Sequence, residues 1–295
     1  NQHFGTLLYG GNSSTQVITD TDEVDFTPDF VWVKRRDGDN SHILTDAVRG
    51  VHKYLLASAT SAETDNNIFL TAFNNGGFTS GNNGDMNVSG RTYAAWNWNA
   101  GGSTVTNTDG SVDSQVRANT SAGFSIVTFS GSGNRTIGHG LGVAPQCIIM
   151  KGRNVTDQWT VGHQELDASN PWHKGIPLNT YASTQDNAGF WNDTAPTSTV
   201  FHKGTWNDGY NMVAYCFSEV AGYSKFGKYT GNGNTNGTFI HLGFKPAFFL
   251  IKALSDISWY MYDNKRDPQN PVDTEFNTNN NQAEASGYDI DFLSN

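Results

Sequence analysis

The sequence predicts an all-β protein built from tandem β-sandwich units, jelly-roll or lectin-like, with almost no helix. Three observations predict this. The composition supplies rings and turn formers rather than helix formers, the apolar residues alternate or come in short runs, and one strand-rich block is written three times along the chain.

Of 295 residues, 36% are apolar and 13% aromatic, so Phe, Tyr and Trp must carry much of the burial; large rings bury the most area per residue. Gly, Asn, Thr and Ser dominate the rest and only 16% of residues are charged, which is strand and turn material.

The first block of the repeat is Phe4-Gly5-Thr6-Leu7-Leu8-Tyr9-Gly10-Gly11, which aligns with Phe124-Ser125-Ile126-Val127-Thr128-Phe129-Ser130-Gly131 and with Phe226-Gly227-Lys228-Tyr229-Thr230-Gly231. An aromatic followed two residues later by Gly marks each copy. The second block is a Pro, a short run apolar on both faces and a Lys: Pro28 to Lys34, Pro145 to Lys151 and Pro246 to Lys252. Such a run describes a strand covered on both sides, with Pro confined to its start.

A third block lies near His42, Trp159 and Trp259. In the first and third copies it runs on to Asp46-Ala47-Val48-Arg49 and Asp263-Asn264-Lys265-Arg266, while His163 replaces the Asp in the second. The Asp and Arg read as an ion pair on an edge strand. The closing block, with period-two alternation, appears as Tyr93-Ala94-Ala95-Trp96-Asn97-Trp98 and Met212-Val213-Ala214-Tyr215-Cys216-Phe217. No third copy of it is present before Asn295, so the last unit is expected to lack its final strand and to be completed from outside these residues.

These blocks divide the chain into unit one at 1–102, a Thr/Ser/Gly-rich connector at 103–122, unit two at 123–222 and a partial unit three at 223–295. Gly/Asn clusters such as Asn74-Asn75-Gly76-Gly77 supply turns between strands. Helical periodicity is sustained nowhere. One short helical turn or irregular loop is expected between Thr45 and Leu56. The first residue is Asn1 rather than Met, which reads as upstream processing or a segment of a longer chain.

A net charge of −10, with 18 scattered basic residues, offers no positive stripe for nucleic acid. No apolar run has the length of a membrane-spanning helix. Cys147 and Cys216 each sit in an apolar strand-like run and read as buried thiols in preference to a disulfide.

No cofactor or catalytic constellation emerges. Asp20, Asp22 and Asp25 have an oxygen spacing that Ca²⁺ could use, but without a Gly hinge or distal Glu they read as a solvated turn. His163 and Glu165 form only a lone H-x-E, and no Gly-x-Ser-x-Gly elbow occurs. Glu165, Asp167, Asp193 and Asp208 are the carboxylates that a glycan-cleaving site would draw on. Trp172, Trp191 and Trp206, the last followed by Asn207 and Asp208, lie in turn-forming contexts. A ring beside amides and carboxylates suits a sugar, whose C–H face stacks while its hydroxyls find partners; alternatively these rings close the ends of the sandwiches.

The runs Gly123-Phe124-Ser125-Ile126-Val127, Ile137-Gly138-His139-Gly140-Leu141-Gly142-Val143-Ala144-Pro145, Thr194 to Phe201 and Val213 to Tyr223 resemble an uncharacterised repeat domain of tailed-phage structural proteins, frequent in marine phages and often described as tail fibre or lectin-like. The resemblance covers nearly the whole chain and departs from the family at Thr19 to Asp25, where a Gly-rich turn is usual. It implies a virion protein without enzymatic activity: a fibre, appendage or surface decoration, extracellular on the particle, homo-oligomeric, bound to other virion proteins and touching host-surface glycans through loops. A bacterial carbohydrate-binding or adhesin module and a glycan-degrading spike are the rival readings.

Overall fold

The architecture is that of a computed structural model in which residues 2–294 are described. The protein is nearly all β, with several sheets. Unit one contributes β1 (Phe4–Gly10), β2 (Gln16–Thr19), β3 (Phe30–Arg35), β4 (Ile43–Asp46), β5 (Lys53–Leu56), β6 (Thr64–Asp65), β7 (Leu70–Asn74), β8 (Gly77–Ser80) and β9 (Thr92–Trp98). Its main sheet has the order β1-β9-β3-β4-β5-β6, and β2-β8-β7 form a second. The last strand of the unit is therefore the one inserted between β1 and β3. Its alternation explains the placement: Ala94, Trp96 and Trp98 face one core while Tyr93 and Ala95 face another, so β9 must be covered on both sides.

Residues 103–122 do more than connect. They hold β10 (Val105–Asn107) and β11 (Ser114–Asn119), which extend the next sheet by pairing β11 with β12 (Phe124–Ser130). Arg117 of β11 pairs with the buried Asp29 of unit one, a contact that composition alone could not reveal.

Unit two continues with β13 (Arg135–Gly138), β14 (Cys147–Gly152), β15 (Thr160–His163), β16 (Lys174–Gly175), β17 (Gln185–Asp186), a single helical turn α1 (Ala188–Trp191), β18 (Val200–Lys203) and β19 (Asn211–Phe217). The order β12-β19-β14-β15 repeats that of unit one. The helical turn starts at Asn187, whose side chain accepts from Gly189 N, a standard cap. Of the two alternatives between Thr45 and Leu56, the irregular loop is the one formed: residues 47–52 make turns between β4 and β5. Cys147 and Cys216 are free thiols on neighbouring strands β14 and β19, and burial pushes the Cys147 thiol up to about 12.

Unit three supplies β20 (Phe248–Lys252), β21 (Trp259–Asp263), β22 (Val272–Glu275) and β23 (Ala285–Ile290). These are counterparts of β3 to β6. Among the described residues no counterpart of β8 or β9 follows, and the segment carrying Tyr229 is not a strand. Both facts have one cause, because β1 and β12 pair within their own units only with β9 and β19. Without that central strand the Tyr229 segment has no ladder to join. Tyr229 is accordingly 46% exposed where its counterpart Phe129 is 7%.

The units also do not stand as separate beads. One central cluster draws Trp32, Trp96 and Trp98 from unit one, Phe124, Trp159 and Tyr215 from unit two, and Trp259 and Phe276 from unit three. Each unit keeps a second cluster of its own on the outer side.

Candidate functional site

The polar residues that the repeats hold in common do most of their work between units. The His42, Trp159 and Trp259 positions are equivalent, each standing just before or at the start of β4, β15 or β21. Trp159 Nε1 donates to the Leu56 carbonyl of unit one at 2.9 Å, and Trp259 Nε1 to the Pro177 carbonyl of unit two at 2.8 Å. His42 Nε2 reaches the Asn277 carbonyl of unit three at 3.2 Å. Leu56, Pro177 and Asn277 are themselves equivalent, so the three bonds run in a closed cycle.

Sequence differences within the cycle compensate. Unit one has the smaller His42, and its indole is moved to the adjacent strand as Trp32, where units two and three have Ile149 and Leu250. Trp32 Nε1 donates to His42 Nδ1 at 2.9 Å, which leaves the proton on Nε2 for Asn277. Burial, and secondarily Lys34, hold the His42 pKa well below the usual imidazole range, so the ring is neutral.

A second cycle uses the Asp and Arg residues. The Asp46 carboxylate accepts from Arg49 Nε at 2.5 Å and from the Tyr215 hydroxyl of unit two at 2.8 Å, with all of its side chain buried. Asp263 accepts from Arg266 Nε at 2.6 Å and from Trp96 Nε1 of unit one at 3.1 Å. Burial alone would lower the pKa of Arg49, but Asp46, Tyr215 and Glu63 outweigh it and raise it above the ordinary value. The ion pair expected on an edge strand is thus an interior clamp that holds adjacent units together. Glu63 adds a third tie, accepting from Arg153 Nε at 2.9 Å and Nη2 at 2.8 Å; at the matching position both oxygens of Glu284 share the Arg36 Nε–H at 3.0 and 2.9 Å.

At the end of each Pro strand the Lys turns inward. Lys34, Lys151 and Lys252 each donate to the next residue's carbonyl and to one further along the same loop. Burial lowers Lys34 and Lys151 to about 8.

Of the sugar-contact candidates, Trp172 and Trp191 lie inside unit two, 4% and 0% exposed, edge to face at 5.5 Å. Their loops fold back on the outer core, and neither ring offers a face to solvent. Trp206, Asn207 and Asp208 remain together on the β18–β19 loop. Trp206 is half-buried with its ring at 5.6 Å from Phe190, Asn207 has φ +52° and a buried amide nitrogen without a hydrogen bond, and Asp208 is exposed and accepts from Gly133 N.

Asp20, Asp22 and Asp25 do not converge. Asp20 Oδ1 accepts from Asp22 N at 3.0 Å within the turn, and among the described residues no three His, Cys, Asp or Glu side chains form a group able to hold a metal. The four other carboxylates have separate partners. Glu165 pairs with Lys228 at 2.9 Å, Asp193 with His173 at 2.6 Å and Asp208 with the Gly133 amide, while Asp167, held below the usual range by Ser169, caps a turn.

Where unit three lacks a central strand, an open slot of about 2040 Å³ runs through the fold. One wall is β20, every residue of which is half-buried, whereas its counterparts β3 and β14 are almost fully covered. The other wall is the segment at Phe226 to Lys228, held in place by unit two: Glu219 accepts from Phe226 N at 2.9 Å, Gln164 Nε2 donates to the Phe226 carbonyl at 3.0 Å, and Glu165 pairs with Lys228. His163 and Glu165 line the slot. Sequence reasoning noticed the missing strand but not these wall residues; the His163 substitution at the clamp position was the one signal pointing to them.

A family model described as a domain of unknown function, DUF7483, matches residues 1–295. No curated protein and no solved structure matches the chain.

Proposed function

The chain belongs to the DUF7483 family, a domain of unknown function, and we propose that it is a non-enzymatic structural protein of a tailed-phage virion, working as a fibre, appendage or surface decoration. The observation that carries this is the way shared polar residues are spent. Asp46, Arg49, Asp263, Arg266 and His42 fasten repeats to one another in the interior, while the third repeat leaves a strand position open to a neighbour. That is the economy of a part made to be built into a larger assembly. We read each unit as a β-sandwich, since unit one's own core joins Leu7, Val31 and Tyr93 of the main sheet to Ile18, Leu70 and Phe78 of the second. Its partners are other virion proteins and further copies of itself, on the extracellular particle.

A second reading, an adhesin or carbohydrate-binding module, draws support from the half-exposed Trp206 beside Asn207 and Asp208. Quantitative mass spectrometry of purified particles separates the two. A fixed copy number per virion is expected, and absence from particles carrying the gene product in the lysate overturns the virion assignment. Release of oligosaccharide from host polysaccharide by the pure protein would instead establish a glycan-degrading spike.

A further inference from the structure

We infer that the slot of unit three is a strand acceptor, whose occupant is an extended polypeptide segment from outside these 295 residues carrying the alternation of β9 and β19. This rests on the reading of the chain as a member of an assembly, and it names the chemistry of one partner.

The occupied equivalents define the ligand. In unit two, β19 lies between β12 and β14, with Tyr215 opposite both Ile126 and Ile149 and Phe217 opposite both Phe124 and Cys147. Val213, Tyr215 and Phe217 face the central cluster while Met212, Ala214 and Cys216 face the outer one. In unit one the same seven positions put Ala94, Trp96 and Trp98 on the axis side. A strand entering unit three therefore needs a small or β-branched residue at its third position and rings at the fifth and seventh. On its outer face the second position is large, Tyr93 or Met212, and the fourth is Ala in both copies. It runs antiparallel to β20 and hydrogen-bonds to an edge that is now open, the usual logic of strand addition.

The fifth position is specified further. In the other two clamps it donates to a carboxylate, Tyr215 to Asp46 and Trp96 to Asp263. Cyclic order puts the fifth residue of the incoming strand against His163. The Nδ1 atom of His163 accepts from Glu165 N at 3.1 Å, so Nε2 carries the proton and presents a donor. The incoming ring must accept there, which a Tyr hydroxyl can do and a Trp N–H cannot. A second copy of this chain is a poor source, because both segments of this alternation are already paired and would have to leave their own units.

The test uses the 295-residue protein and a synthetic peptide with the sequence of residues 211–217 carrying Cys216→Ser. With peptide at about ten times its dissociation constant, amide exchange at residues 226–230 and 248–252 is expected to slow by about tenfold, at one peptide per chain. A peptide with Tyr215→Trp should bind more weakly to the wild type, and His163→Asp should reverse that order. Equal protection by a scrambled peptide, or no protection at all, overturns the inference. So does a chain that dimerises alone with the same amides protected, which would make a second copy the occupant. None of these outcomes bears on particle copy number, so the acceptor and the virion assignment fail separately.

Discussion

Trp96 and Tyr215 hold the same position in successive repeats, and each crosses into the neighbouring unit to donate to a buried carboxylate. Trp96 Nε1 meets Asp263 at 3.1 Å and the Tyr215 hydroxyl meets Asp46 at 2.8 Å. Each carboxylate is also held by an Arg three residues on, whose outer nitrogen bonds a carbonyl of its own strand pair, Leu44 or Met261. The interior thus contains two ion pairs, each Arg Nε and one outer nitrogen directed at an oxygen, and the joint between units is made of them; Arg266 Nη1 is left without a hydrogen bond, 3.7 Å from the Glu284 carboxylate.

Removing one partner of such a pair leaves the other charged and dry. Asp46→Ala is expected to destabilise the fold by about 3 kcal/mol, because Arg49 would keep its charge in the interior with only Glu63, at 3.1 Å, left to balance it. Tyr215→Phe, which deletes one bond to a charged group, should cost about 1.5–3 kcal/mol. Urea unfolding of both single variants and the double variant measures the coupling. An additive double variant would mean that the hydroxyl and carboxylate act independently.

Acid should loosen the same region through His42. Its folded pKa is depressed by burial, whereas in the unfolded chain it titrates near 6.5. Above that value both states are neutral and the stabilisation is fully present. As pH falls, the unfolded state takes up a proton that the folded state cannot, so stability declines by about 1.4 kcal/mol per pH unit until the folded pKa is reached. Burial also depresses His139 and His163, which adds in the same direction. Melting temperatures of wild type and His42→Gln between pH 7.5 and 5 check this; the variant should show the shallower fall.

Much of this was legible in the residues. The Pro-to-Lys runs became β3, β14 and β20, and the alternating blocks at Tyr93 and Met212 became the central strands, because a strand buried on both faces has to be apolar in both registers. What the sequence concealed was closure. Asp46 with Arg49, and Asp263 with Arg266, look like surface pairs when their units are read alone, and only Tyr215 for the first and Trp96 for the second, 169 and 167 positions away in the chain, complete the buried partners of each carboxylate. Polar neighbours likewise disguised Trp172 and Trp191, since Asn, Pro and Asp set the turn geometry of a loop without saying which way its ring points.

Those two rings pack over Gly162 of β15, where a Cβ would approach Trp172 and Trp191 to 2.7 Å each. Trp172→Ala should cost about 3–5 kcal/mol as a core truncation. Gly162→Ala should cost about 1–3 kcal/mol by overpacking the same spot. Combining them is expected to recover part of the loss, since the added methyl enters the space that the indole vacates. Denaturant midpoints of the three variants decide, and strict additivity would show that the rings relax away from the glycine.

Trp206 behaves differently, because its ring lies at the surface against Phe190 rather than inside unit two. If the β18–β19 loop touches glycans, the contact combines this ring with the exposed Asp208 carboxylate, while the buried Asn207 amide nitrogen faces the protein interior. Trp206→Ala and Asp208→Ala should then each weaken adhesion to host-cell polysaccharide by about tenfold, a loss of about 1.4 kcal/mol and ordinary for one ring or one charged hydrogen-bond partner. Asn207 holds a left-handed backbone, so Asn207→Gly, which keeps the turn and touches no exposed group, serves as the control and should bind like wild type. Surface-plasmon binding of wild type and the three variants to immobilised polysaccharide, with circular dichroism to confirm the fold, gives the answer. Unchanged binding in both Trp206→Ala and Asp208→Ala would remove this loop from the glycan reading and leave the slot of unit three as the candidate interaction surface.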